Sequence, residues 1–272
     1  MRAAVERLGG RVSDVVAAVG DFAVFSFWTL VWFAVGIFDS RSWRLLPRQM
    51  YQLGVLSVPM VLLTGGFVGA VLAVGSFENF NALGMAERLG TLINGAVVKE
   101  IGPVLAATML AGRVGGALTA ELGTMRVTEQ IDALRVMGTD PIRYLSVPRF
   151  WCCFLMIPFL TAYTDLTGIF GGYLIVVGVY GISPEEYLYN GFQVTVFEVC
   201  VGLVKSLFFG ATIGLVSCYK GFNCGQGAEG VGRACTEAFV VSFAAVLAEN
   251  FVLALIAKEL FVTLYGVQSS LG

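Results

Sequence analysis

From Gly54 to Phe77 the chain reads GVLSVPMVLLTGGFVGAVLAVGSF, 24 residues without one charged side chain. A helix needs about 20 apolar residues to cross a hydrocarbon layer of roughly 30 Å. No water reaches a backbone N–H or C=O inside such a layer, so the segment must be a helix that bonds its main-chain groups internally. Further runs of spanning length lie at about 95–120, 150–180, 194–219 and 236–264. Five spans are expected, and the fold class is all-α, a polytopic membrane protein. Residues 1–53 form an N-terminal amphipathic and interfacial region, and 54–272 the transmembrane domain.

Composition agrees with this and removes several chemistries. The 272 residues are 57% apolar and 13% charged, against about 45–50% and a quarter for a soluble domain. With a net charge of −2, nothing suggests a phosphate-tracking surface, so nucleic acid is not expected as a partner. The absence of histidine excludes Ser-His triads and most zinc sites. The six cysteines form no CxxC pair and read as reduced, small apolar residues.

The segment before the first firm span begins with Val5, Leu8, Val12, Val15, Val19 and Phe22 at helical spacing, with Arg2, Arg7, Arg11 and Asp14 elsewhere on the wheel. That pattern suits a helix lying in the headgroup plane. The run FAVFSFWTLVWFAVGIF, 22–38, is 17 residues long and rich in aromatics. It reads first as an elbow dipping into one leaflet, with a sixth span as the alternative.

Loop charge sets the orientation. Arg2, Arg7, Arg11, Arg41, Arg44, Arg48, then Arg113, Arg126, Arg135, Arg143, Arg149, then Lys220 and Arg233 fall on one side, thirteen against a few on the other. The positive-inside rule puts this side and the N-terminus in the cytoplasm and the C-terminus outside.

The longest polar stretch, TMRVTEQIDALRVMGTDPIRYLSVPR (124–149), lies on that cytoplasmic side. Val127, Ile131, Leu134 and Met137 repeat at helical spacing as one narrow apolar stripe, with Arg126, Glu129, Asp132 and Arg135 off it. Gly138 supplies a C-terminal stop. Asp140-Pro141 reads as an N-cap and first-turn proline opening a second short helix through Leu145. By pattern alone this is either a solvated connector or a docking element.

The block KEIGPVLAATMLAGRVGGALTAELGTMRVTEQIDALRVMGTDPIRYLSVPRFW (99–151), with RQMYQLGVLS before it and LVKSLFFG after it, resembles the MlaE family. These are permease subunits of ABC transporters that work with Mce-domain proteins to move lipids between bacterial membranes. The resemblance implies a homodimer in the bacterial inner membrane and a lipid cavity at its seam. It also implies a separate ATPase subunit, an Mce-domain protein on the outer face, and room for a small cytoplasmic accessory subunit. On it the coupling segment is 121–149, with Val127, Glu129, Ile131, Leu134, Arg135 and Met137 meeting the ATPase. Asp132-Ala133-Leu134 followed by Gly138 also resembles the importer EAA loop, although Leu145-Ser146-Val147-Pro148 closes about three residues early. The chain has no GxxxxGK phosphate loop, so ATP is used by a partner, no cofactor is expected here, and the chain is not an enzyme. One GxGxxG match, Gly225 to Gly230, follows no strand and reads as a cytoplasmic turn.

Charges within apolar spans are candidates for function or for helix-helix glue. Lys99 and Glu100 enter the second span; by the resemblance they border the lipid cavity. Asp165, Glu198, Lys205 and Glu249 read as bundle-internal polar residues first and as substrate or gating groups second. Glu198 and Lys205 share a face two turns apart, too far for contact, so each needs another partner. Gly112 and Gly116, Gly168 and Gly172, and Gly210 and Gly214 keep small-xxx-small spacing, for packing within one chain or between two. Ser183-Pro184-Glu185-Glu186 should open a short outer helix. An ion-coupled secondary transporter and a non-transporting scaffold remain rival readings.

Overall fold

The computed structural model describes residues 2–36, 46–85, 88–191 and 193–265, and these are helical with short connections and no strand. The helices are α1 (Arg2–Gly36), α2 (Val58–Ala82), α3 (Leu89–Ala96), α4 (Gly102–Leu110) and α5 (Gly116–Val127). They continue with α6 (Gln130–Val136), α7 (Val147–Gly178), α8 (Pro184–Gly191), α9 (Val196–Phe222) and α10 (Gly227–Tyr265). Several join end to end through wide π turns, at Val97–Ile101, Ala111–Gly115 and Ile142–Ser146. A π turn bonds five residues back instead of four and inserts one residue without ending the helix.

Six stretches are long and apolar enough to cross a membrane: Val16–Val35, Leu46–Ala82, Leu89–Val127, Ile142–Gly178, Val196–Phe222 and Gly227–Thr263. The sequence reading placed five and left the first open. α1 runs unbroken through both its amphipathic start and its aromatic run. The side chains of 2–15, residues 37–38 of the expected elbow, and Arg41 and Arg44 of the charge count lie outside the described residues.

Glycines bring the long helices together. A methyl group on Gly69 would strike the Gly168 carbonyl, one on Gly171 the Gly66 carbonyl, and one on Gly65 the Thr164 carbonyl and Thr167 hydroxyl. α2 and α7 therefore touch backbone to backbone, the contact that small residues permit where no hydrophobic force drives association. Gly210 and Gly214 serve the α9–α7 contact, pressed on Cys153 and Phe150. Of the expected glycine pairs, Gly112 faces the Phe239 ring and Gly116 has nothing within 4 Å among the described residues, so among these no backbone approaches either of them closely.

One core cluster lies at mid-bundle, around Val61, Leu110, Ile157, Phe209 and Ile213. A second, with Leu89, Ile93, Val176 and Tyr187, lies at the α8 end, and a third, with Phe25, Leu122, Ile131, Leu145, Cys218 and Phe222, at the α6 end. All six cysteines are free thiols. Gly69→Leu should wedge α2 from α7 at a cost of roughly 1–3 kcal/mol or more, as overpacking does. The expected result is loss of the monodisperse detergent-solubilised species on size exclusion, while Gly116→Leu leaves the isolated protomer's melting temperature within a few degrees of wild type.

Candidate functional site

The charged residues of the spans fall into separate groups. Lys205 of α9 is the most enclosed, its side chain 2% exposed, and its ammonium lies 2.7 Å from the Glu100 carboxylate. The same nitrogen donates to the Lys99 carbonyl at 3.3 Å. Seen in sequence, Lys205 lacked a partner and Lys99-Glu100 was an uncertain pair; the tertiary contact joins Glu100 to Lys205, 105 positions away. The Lys99 side chain makes no hydrogen bond or ion pair among the described residues. A buried pair is weak evidence for stability, yet removing Glu100 would leave a buried cation uncompensated, at roughly 3–5 kcal/mol.

Asp165 of α7 is 8% exposed and faces Gly102, where a side chain would collide with its Oδ1. That oxygen has no hydrogen-bond partner among the described residues. Glu249 of α10 accepts a hydrogen bond from the Thr212 hydroxyl of α9, while its Oε2 and the side-chain Oδ1 of Asn250 have no hydrogen-bond partner among the described residues. Glu198 departs from the sequence reading. It sits in the first turn of α9 and accepts from the Thr195 backbone N–H at 3.1 Å. It closes the helix start as a capping-box glutamate, so it is a helix-end residue and not a bundle-internal one.

Two polar clusters escaped the sequence reading. Tyr187 of α8 donates to Asn94 Oδ1 at 3.2 Å and Asn94 Nδ2 donates to the Gly191 carbonyl at 3.4 Å, tying α8 onto α3. Below them a cavity of about 210 Å³ is lined by Asn94, Val98, Ile169, Leu188, Gly191, Val194 and Val199. At the other end, Arg149 pairs with Glu121 at 2.9 Å and donates to the Leu145 carbonyl at 2.8 Å. Arg149 had been counted only as a loop charge, although it is 4% exposed. A lone Asn in an apolar run and an Arg beside Pro were the available signals.

The model of the MlaE permease family matches residues 46–256. The chain belongs to that family. It is 40% identical over 247 residues to a probable ABC transporter permease protein of Rickettsia conorii, covering 90% of this chain and 94% of the relative. It is 32% identical over 253 residues to the intermembrane phospholipid transport system permease protein MlaE of Haemophilus influenzae, covering 92% and 95%. It is also 37% identical over 212 residues to the chloroplastic protein TRIGALACTOSYLDIACYLGLYCEROL 1 of Arabidopsis thaliana, covering 78% and 61%.

In this MlaE-family permease the stretch 121–149 is not built as the periodicity implies. The single helix expected through 127–137 breaks after Val127, because Glu129 takes the left-handed backbone conformation at φ 58°. α6 then starts afresh at Gln130. Asp132 fastens it back to α5 through Arg126 at 2.7 Å, and Arg135 joins at 3.2 Å. The stop reads as expected: Gly138 has φ 74°, with Gly138 N–H bonded to Arg135 O and Thr139 N–H to Leu134 O, a Schellman closure. Asp140 caps Ile142 N–H at 2.9 Å as expected. The expected second short helix instead runs through a π turn directly into α7.

The apolar stripe divides. Ile131 is 1% exposed inside the chain's own core and Leu134 packs beside it, whereas Val127 and Met137 are exposed, as is Val136 off the stripe. Aspartate at Ile131 would therefore unfold this end rather than probe a docking surface.

Burial pushes the Tyr187 phenol from its ordinary value up to about 12. A folded pKa raised above the unfolded one keeps its contribution below about pH 10 and loses it as pH rises toward 12. The melting temperature of the solubilised protein should fall over that window more steeply than that of Tyr187→Phe, which lacks the titrating group; parallel curves would remove Tyr187 as the cause.

Proposed function

We propose that this chain is the permease subunit of an Mce-type ABC transporter that moves phospholipid between membranes. It works as a homodimer with a separate ATPase and an outer Mce-domain protein. The observation that carries the reading is one charged cluster, Lys99, Glu100 and Lys205, set into otherwise apolar helices, with the Lys99 ammonium free of partners among the described residues. A free cation beside apolar walls suits a phosphate headgroup with acyl chains alongside. The name of the Haemophilus influenzae relative points to the same substrate class.

The N-terminus is cytoplasmic, and α1 is an elbow helix that dips into the leaflet on that side without crossing. Its ring contacts, Phe25 with Tyr219 and Phe222 and Phe33 with Phe150, Trp151 and Phe154, are to a single end of α7 and α9. Gly54, in the early part of the next membrane-length stretch, faces Met156 in the half of α7 nearer that end. A crossing helix would need contacts toward the α8 end as well. Five spans after the elbow place the C-terminus outside.

α6 is the coupling helix. Ile131 is its keel, held in the chain's own core, and Val127, Glu129, Val136 and Met137 form the exposed surface offered to the ATPase, with Leu134 and Arg135 at its margin. ATP hydrolysis in the partner reaches the spans through the continuous stretch Ile142–Gly178 and through the Arg149–Glu121 pair.

Val136→Asp and Met137→Asp should each lower ATPase retention in detergent pull-downs about tenfold, roughly 1.4 kcal/mol of binding, with the permease melting temperature unchanged. Wild-type retention by both would exclude this docking surface. Lys99→Ala should reduce ATP-dependent phospholipid movement between vesicles several-fold. Transport that persists without the ATPase and collapses with an uncoupler would instead assign the chain to ion-coupled transport.

A further inference from the structure

We propose that Lys205 is a positioning residue: its ammonium fastens the π turn at Val97–Ile101 and thereby sets the direction in which the Lys99 side chain points. The residue four after Lys99 is Pro103, which has no N–H to give the Lys99 carbonyl, and inside hydrocarbon such a group must find another donor. Lys205 Nζ supplies one to the Lys99 carbonyl at 3.3 Å. The Glu100 carboxylate, 2.7 Å from the same nitrogen, balances the charge that makes this donor strong.

The rest of the surroundings hold the same turn. A side chain on Gly202 of α9 would strike the Val98 carbonyl, so this glycine admits the α9 backbone to the turn. One on Gly102 would collide with Asp165 Oδ1 and lie 2.8 Å from the Val97 carbonyl. One on Gly168 of α7 would lie 2.8 Å from Val97 Cγ1. Of the three successive carbonyls, that of Val97 takes the Gly102 backbone N–H, that of Val98 faces bare Gly202, and that of Lys99 takes the Lys205 ammonium.

The turn governs direction because one inserted residue rotates everything beyond it by about 100° around the helix axis. Before the turn Asn94 and Ile93 are fixed on Tyr187 and Gly172, after it the helix continues as α4, and Lys99 sits inside the turn itself. An ion pair alone would be indifferent to which partner carries the amine; fastening a carbonyl is not, since an ionised carboxylate has no proton to donate. The inference rests on the lipid-permease reading only for what Lys99 meets.

The experiment is hydrogen exchange with mass spectrometry on the complex with its partner subunits in phospholipid nanodiscs, reading peptides over 97–102, alongside vesicle transport. Lys205→Arg keeps the donors and should hold near wild-type protection and transport. Lys205→Met, and the charge swap Glu100→Lys with Lys205→Glu, should each speed exchange in this turn about tenfold and lower transport. Glu100→Gln retains the ammonium-carbonyl bond and should protect the turn better than Lys205→Met. Wild-type protection in the charge swap, or equal exposure in Glu100→Gln and Lys205→Met, overturns the proposal. If Lys205→Met or the swap does not fold, Lys205→Arg against Glu100→Gln decides it: loss of protection in the arginine variant overturns it. The predicted exchange pattern with transport unaffected in every variant would uphold the fastening role and sink the lipid role of Lys99.

Discussion

Every main-chain polar group at membrane depth has to be bonded inside the protein, and each notable feature of this fold is a way of meeting that demand. Long helices meet it along their length. Where helices must approach closely, glycine lets backbones touch, as Gly65, Gly66 and Gly69 of α2 do against Thr164, Gly168 and Gly171 of α7. Where a helix departs from regularity, a side chain or a neighbouring element supplies the missing partner, as Lys205 does at the Val97–Ile101 turn. Hydroxyls follow the same logic: Thr29, Ser57, Thr161 and Thr164 each bond the carbonyl four residues back.

The two ends of the bundle differ in how they are built. At the α8 end a small hydrogen-bonded knot of Tyr187, Asn94 and Gly191 closes over an apolar cavity. At the α6 end, ion pairs dominate, with Arg149–Glu121, Arg126–Asp132 and Lys220–Glu237 linking successive elements. In each of these pairs the acidic partner stays substantially exposed, and the Arg149 guanidinium is the one deeply buried charge among them.

The apolar runs placed the later spans to within several residues of their observed positions, and the caps at Gly138, Asp140 and Ser183 were legible because each depends on a residue and its immediate neighbours. The break at Glu129 was not legible. Periodicity ran straight through it, and a glutamate is an unusual residue for left-handed backbone. It follows from a contest between local preference and the packing of Ile131 against Phe25, Leu122 and Phe222. For the same reason the stripe Val127, Ile131, Leu134 and Met137, a single face on paper, is part keel and part surface in the fold. The spans likewise ran through their π turns unannounced, since such a turn leaves no mark in apolar periodicity.

By itself the sequence determined that this chain crosses a membrane repeatedly as helices and that Lys99, Glu100, Asp165, Lys205 and Glu249 lie within the apolar runs. Those are consequences of composition and of spacing along one helix, and both are local. Only the tertiary structure decided the partners: Glu100 for Lys205, Thr212 for Glu249, Glu121 for Arg149, and a helix start for Glu198. Pairing across about a hundred residues is set by how helices cross and how far π turns rotate them. Small-xxx-small spacing marks the glycines that can let backbones approach, but not which helix each of them meets.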